Sequence, residues 1–338
     1  MSFYIIDRYH DGSENGCVMH IPDGILDAKT AAGTAVLAVG GLGYALHQAR
    51  RTLPPKRVPL LGLAAAFVFA AQMINFPVAG GTSGHLIGGT LAAALLGPSA
   101  AVIVISSVLI VQCFLFADGG VTALGANIFN MAIIGGVVGW SIYYLVSKPI
   151  KGVFGRILAA TFAAWCSTML ASIVCAGELA TSGTVRWSLA FPAMAGVHAL
   201  IGIGEAVITA LVLSAVAASR SDLLMAPTTA VRTRPYVSFI VYGGLISLGL
   251  ALFVAPFAST APDGLDRSAQ TLGFAESATT LIRAPMADYS IGGISAPALA
   301  TAIAGVVGTI IVFAMAWALA RSLSPKAANP SRVAEQTS

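Results

Sequence analysis

The chain has 338 residues, of which 57% are apolar and only 9% charged. With a mean hydropathy of +0.85 it lies outside the soluble globular range and reads as a polytopic membrane protein. A net charge of +4 does not indicate a nucleic-acid partner, because the basic residues fall in short loops between apolar segments, where they set membrane topology.

The first eighteen residues, MSFYIIDRYHDGSENGCV, lack a basic region followed by an apolar run, so they are not a signal peptide. The expectation is that residues 1–18 are an upstream mis-called start or a removed extension. Beyond them, apolar stretches long enough to cross a hydrocarbon core of about 30 Å recur. They predict spans near 30–48, 58–76, 84–97, 99–116, 121–146, 156–176, 188–217, 236–256 and 297–320. β-barrel alternation is not the pattern, so the expected fold is all-α, a transmembrane bundle of about nine spans. The third span, ending at Gly97-Pro98, is short for a full crossing and suits a partial or tilted helix as well, but the parity of the topology needs it to cross.

With the N-terminus outside and the C-terminus cytoplasmic, thirteen of the eighteen basic residues face the cytoplasm, among them Arg50, Arg51, Lys148, Lys151, Arg220 and Arg321, as the positive-inside rule prefers. Residues 19–220 then form a seven-span unit. Residues 221–235, with Pro227 and Pro235, form a cytoplasmic linker. Residues 236–338 form a two-span unit with an outer loop, 257–296, and a cytoplasmic tail. Within that loop Pro262-Asp263-Gly264 echoes Pro22-Asp23-Gly24. The repeat is either shared design or ordinary turn chemistry. The four cysteines, Cys17, Cys113, Cys166 and Cys175, show no paired spacing and read as small apolar packing residues.

No phosphate-binding loop of the G-x-x-x-x-G-K-[ST] kind and no G-x-S-x-G nucleophile motif is present, so neither ATP hydrolysis nor acyl transfer by those routes belongs to this chain. The histidines are better placed for chemistry. Of His10, His20, His47, His85 and His198, His20 precedes the first span and His85 stands in GGTSGHLIGG, residues 80–89. Glycines there permit irregular backbone at membrane depth. If Met19 is the first residue, its amine, the deprotonated amide nitrogen of His20 and the His20 imidazole can close fused chelate rings on one metal ion. The His85 imidazole would complete a planar set of nitrogens suited to Ni(II) or Cu(II) and able to serve Co(II), whereas Mg and Ca prefer oxygen.

The segments MHIPDGIL (19–26), GGTSGHLIGG (80–89), FADGGVTALGANIFNMAI (116–133) and GVHALIGIGEAVIT (196–209) resemble the successive signatures of the CbiM/NikM family, the metal-binding membrane subunits of energy-coupling-factor nickel and cobalt importers. The resemblance covers about residues 19–220 and implies Met19, His20 and His85 as metal ligands. The part from about 236, with its APDGLD (261–266), resembles the small accessory CbiN/NikN subunit of the same importers, here fused. It implies a non-enzymatic transport subunit in a prokaryotic inner membrane. The subunit would capture Ni(II) or Co(II), the cargo and not a cofactor, for delivery inward by a transmembrane coupling subunit and cytoplasmic ATPases. Asp118, Asn127 and Asn130 are expected to orient the bound loop or His85, as outer-shell residues do.

His198 and Glu205, seven residues apart, share one helix face. A carboxylate near mid-bilayer costs roughly 2.5–3.5 kcal/mol on insertion scales, so Glu205 either hydrogen-bonds between helices or serves metal passage and coupling. The rival function, an autonomous divalent-cation channel or secondary transporter, would need carboxylates in several spans. A membrane metalloenzyme would need a general base or nucleophile motif that neither histidine segment carries.

Overall fold

A computed structural model of the protein describes residues 20–224 and 236–324. The helices are α1 (Ala28–Thr52), α2 (Val58–Gln72), α3 (Gly89–Leu96), α4 (Pro98–Val111), α5 (Leu124–Ile128), α6 (Gly139–Ser147), α7 (Gly152–Thr181), α8 (Trp187–Arg220), α9 (Val237–Gly249), α10 (Gly264–Leu272) and α11 (Pro297–Leu323). A small antiparallel pair, β1 (Phe76–Val78) and β2 (Thr82–Gly84), lies between α2 and α3. Wider π-type turns extend α4 to Phe116 and α9 to Val254, and one running Phe129–Val138 joins α5 to α6.

The protein is therefore a polytopic helical membrane protein. Among the described residues six helical rods are long and apolar enough to cross a bilayer: Pro98–Phe116, Leu124–Ser147, Gly152–Thr181, Trp187–Leu223, Val237–Phe257 and Pro297–Leu323. α1 has the length at 25 residues, but threonine and glycine dilute its apolar character, and α2 has only 15 residues.

The span expected over 84–97 differs from what forms. Helix begins only at Gly89, and the eight residues of α3 reach about 12 Å at 1.5 Å per residue, well short of a hydrocarbon core of about 30 Å. The reason is local. Gly80, Gly81 and Gly88 adopt left-handed φ of 82°, 72° and 76°, and the segment before α3 is used for the β pair and an extended His85 loop. α3 then packs backbone to backbone on the π-type stretch, since a Cβ at Gly89 would stand 2.7 Å from the Gly135 carbonyl carbon.

Small side chains let the rods approach closely. On α7 one row, Gly155, Ala159, Ala163, Ser167, Ala171 and Cys175, and a second, Ala160, Ala164, Thr168, Ser172 and Ala176, are all buried. Four-residue spacing places each row on one stripe, the small-residue seam by which membrane helices associate. α7 and α8 pack along their lengths, and α11 and α9 both pack on α2. Large apolar side chains elsewhere face outward, including Val36, Val39, Phe154, Leu211, Tyr242 and Phe253, as a lipid-facing surface requires. Cys113 and Cys175 are buried and Cys166 is partly buried, all three free. Cys17, the linker residues 225–235 and the tail from 325 lie outside the described residues.

Candidate metal site

The chain entering α1 is built as a fixed loop. The amide side chain of Asn127 grips the Ile21 backbone at both ends, its Oδ1 accepting from the Ile21 N–H at 3.0 Å and its Nδ2 donating to the Ile21 carbonyl at 3.0 Å. That carbonyl also accepts from the Gly120 N–H at 2.9 Å. Asp23 accepts from the Thr122 N–H at 2.7 Å and the Thr122 hydroxyl at 2.6 Å. Gly120 has no side chain for a steric reason: a Cβ would strike the Asp23 nitrogen and the Pro22 carbonyl carbon. Asp27 then caps α1 by accepting from the Thr30 N–H at 3.0 Å, a standard helix start.

This loop delivers His20, which is 3% exposed. Its Nδ1 lies 2.8 Å from Asp118 Oδ1, while its Nε2 is buried with no hydrogen-bond partner among the described residues. Ala117, in a left-handed conformation with φ 53°, turns the chain at the end of the α4 rod and points Asp118 inward. The second Asp118 oxygen accepts from the Tyr289 hydroxyl at 2.6 Å. Burial works against an ionised Asp118, yet the His20 ring and the Tyr289 hydroxyl hold its carboxyl below the usual carboxylate range.

The His85 ring stands 5.7 Å from the His20 ring, centroid to centroid, tilted by 54°. Its Nδ1 lies 3.2 Å from the Leu86 carbonyl and its Nε2 lies 3.9 Å from Asp263 Oδ2, an ion-pair distance beyond hydrogen bonding. Asp263 caps α10 by accepting from the Leu265 and Asp266 N–H groups at 2.8 Å each. Burial pushes its carboxyl up to about 6, with those amides and His20 acting the other way. Behind His85, Glu205 on α8 accepts from the Ile87 N–H at 2.6 Å and the Gly88 N–H at 2.9 Å. A carboxylate at the N-terminus of α3 meets both free amides and the positive end of the helix dipole. Gln72 closes the clamp by donating to the Ile87 carbonyl at 3.0 Å.

Around the two rings lies a cavity of about 80 Å³, whose lining includes His20, His85, Asn130, Cys175, His198 and Asp263. Among the described residues no three His, Cys, Asp or Glu side chains gather into a metal-holding cluster. Met19 and His10 lie outside the described residues.

The CbiM family model, described as "Cobalt uptake substrate-specific transmembrane region", matches residues 20–223. The chain belongs to the CbiM family. The PDGLE domain model matches residues 237–324. A relative in Archaeoglobus fulgidus that carries the NikMN designation is 38% identical over 305 residues, 90% of this chain and 98% of its own. The fused nickel transport protein NikMN of Rhodobacter capsulatus is 36% identical over 221 residues, 61% of this chain and 64% of its own. A solved truncated transition metal transporter is 35% identical, with a TM-score of 0.55, and covers 60% of this chain and 99% of its own.

Within this CbiM-type chain the sequence-expected residues part into two groups. His20, His85, Asp118, Asn127, Asn130 and His198 converge on the cavity or on the loops that border it. Glu205 does not line it and is spent on the Ile87 and Gly88 amides. Asn130 donates to Glu178 Oε2 at 2.7 Å, and His198 Nδ1 lies 2.8 Å from the Met194 carbonyl. Sequence reasoning missed Glu178, Asp263 and Tyr289 as site residues. The echo of Asp23-Gly24 in Asp263-Gly264 was the available signal for Asp263, though the two turns differ: Gly24 is left-handed at φ 85°, and Gly264 opens a helix. Asp263 lines the cavity, whereas the Asp23 carbonyl ties its loop to the second unit by accepting from the Thr279 N–H at 2.8 Å.

Proposed function

We propose that the protein captures Ni(II) or Co(II) at the outer face of a prokaryotic inner membrane and passes it inward as the substrate-specific component of an ATP-driven energy-coupling-factor importer. The ion is held by the Met19 amine, the His20 amide nitrogen, the His20 imidazole and the His85 imidazole. A transmembrane coupling subunit and cytoplasmic ATPases supply the work. The observation that carries this reading is the approach of the His20 and His85 imidazoles to 5.7 Å beside one cavity. Family membership and the names of the fused nickel relatives support the cargo class.

The chelate uses His20 Nδ1, because only that ring nitrogen is near enough to its own amide to close a fused ring. Asp118 now occupies Nδ1. A half-turn of the imidazole about Cβ–Cγ frees Nδ1 for the ion and brings Nε2–H to the Asp118 side, giving the carboxylate–histidine–metal arrangement of many metal sites.

The test is equilibrium dialysis of the purified chain with each metal. His20→Ala and His85→Ala each abolish tight binding while leaving the protein inserted and folded. Near-normal affinity in either variant rules out the four-nitrogen site. Uptake into vesicles lacking the ATPases distinguishes the importer subunit, which is then inactive, from an autonomous channel.

A further inference from the structure

The second unit meets the candidate site of the first at two side chains: Asp263 lines the cavity, and Tyr289 reaches Asp118 from behind. Tyr289 follows α10 in the connection to α11, and its hydroxyl donates to Asp118 Oδ2 at 2.6 Å while accepting from Gln112 Nε2 at 2.9 Å. The other Asp118 oxygen meets His20 Nδ1 at 2.8 Å. The Tyr289 ring stacks on Phe116 at 4.7 Å and packs beside Phe69 at 6.1 Å. Placing it there takes unusual backbone: Asp288 and Tyr289 have φ of 54° and 55°, a left-handed pair that non-glycine residues adopt only where surroundings over-determine it, commonly at functional sites. The Met286 N–H donates to the Leu115 carbonyl at 2.9 Å, tying the same segment to the end of the α4 rod.

We propose that Tyr289 is a positioning residue for metal capture. Its hydroxyl fixes the Asp118 carboxylate, which holds the His20 imidazole through Nδ1 before the ion arrives and through Nε2–H once Nδ1 is on the ion, so a site whose nitrogens all come from the first unit is completed by the second. Phenylalanine at this position keeps the stack on Phe116 and removes only the hydroxyl, so the relay is separable from packing. The inference rests on the four-nitrogen reading above.

Nickel affinity is measured by equilibrium dialysis on the full chain with Met19 as its first residue, alongside the visible absorption of bound nickel. Outer-shell partners of metal-ligating histidines are worth roughly 10- to 100-fold in affinity, and Tyr289 acts one bond further out. Tyr289→Phe is expected to weaken binding roughly three- to tenfold, with the absorption band unchanged because the donor set is unchanged. In an Asp118→Asn background the same substitution adds no further loss. Affinity within about twofold of the parent, or an undiminished loss in the Asp118→Asn background, overturns the relay while leaving the site standing. Full affinity in His20→Ala overturns the site and the relay together.

Discussion

Asn127→Ala tests whether the loop carrying His20 must be held rigid for metal capture. The substitution removes both hydrogen bonds to the Ile21 backbone, at 3.0 Å each. The Ile21 carbonyl retains the Gly120 N–H at 2.9 Å, so the main loss is the Ile21 N–H, left without an acceptor in a residue only 3% exposed. An orphaned buried donor costs about 1–3 kcal/mol. If the loop escapes that cost by loosening, metal binding must re-order it, and the same free energy appears as a loss of affinity of about 5- to 150-fold. Equilibrium dialysis with nickel reads the affinity, and hydrogen exchange at the Ile21 amide in metal-free protein reads the loosening. Asn127→Asp keeps the acceptor for Ile21 N–H and loses the donor to the carbonyl, so it falls between parent and alanine variant. Faster exchange at Ile21 with unchanged affinity would refute the claim that loop order contributes to capture.

Glu205→Gln leaves one acceptor oxygen for two amides, so one of Ile87 and Gly88 loses its partner; a cost of about 1–3 kcal/mol is expected as a lower unfolding midpoint, with weaker metal binding through the displaced His85. An unaltered midpoint would place Glu205 in coupling or passage instead. Metal binding falls as pH drops from about 8 to about 5, because a terminal amine must lose its ammonium proton and a backbone amide its own before either nitrogen can bind the ion; a pH-independent affinity over that range would remove both from the ligand set. Protein whose first residue is Met19 binds nickel more tightly than protein carrying residues 1–18, because only a free amine supplies the anchoring donor. Equal affinity of the two forms, each verified by mass spectrometry of its N-terminal peptide, removes the amine from the ligand set.

The helical membrane fold was legible because its signal is compositional: apolar stretches of span length announce themselves residue by residue. His20 and His85 were legible for a different reason, since each sits in a short segment whose neighbours are unusual for a span. α3 is the partial helix that its shortness allowed and not the full crossing that parity asked for: hydropathy counts Leu86 and Ile87 as span residues, whereas Gln72 and Glu205 bond the backbone of Ile87 ahead of the helix. Tyr289 and Asp263 were out of reach for a stronger reason. Their roles are defined only by partners such as Asp118 and His85, more than a hundred residues away, and nothing local distinguishes a loop tyrosine that braces a carboxylate from one that does not. Glu178, two residues beyond the predicted end of the sixth span, was lost to a boundary.

The Glu205 clamp also sets an order of events during synthesis. Ile87 and Gly88 emerge from the ribosome 118 and 117 residues ahead of the carboxylate that will receive their amides. Until α8 has been made and inserted, the Ile87 and Gly88 amides lack this acceptor and Gln72 holds only the Ile87 carbonyl, while α3 is too short to hold a place in the bilayer alone. Tyr289 arrives later still. A chain stopped before α8 would carry both histidines without the Glu205 clamp behind the His85 loop, so the spacing of the two rings is set late in synthesis, once α8 is in place.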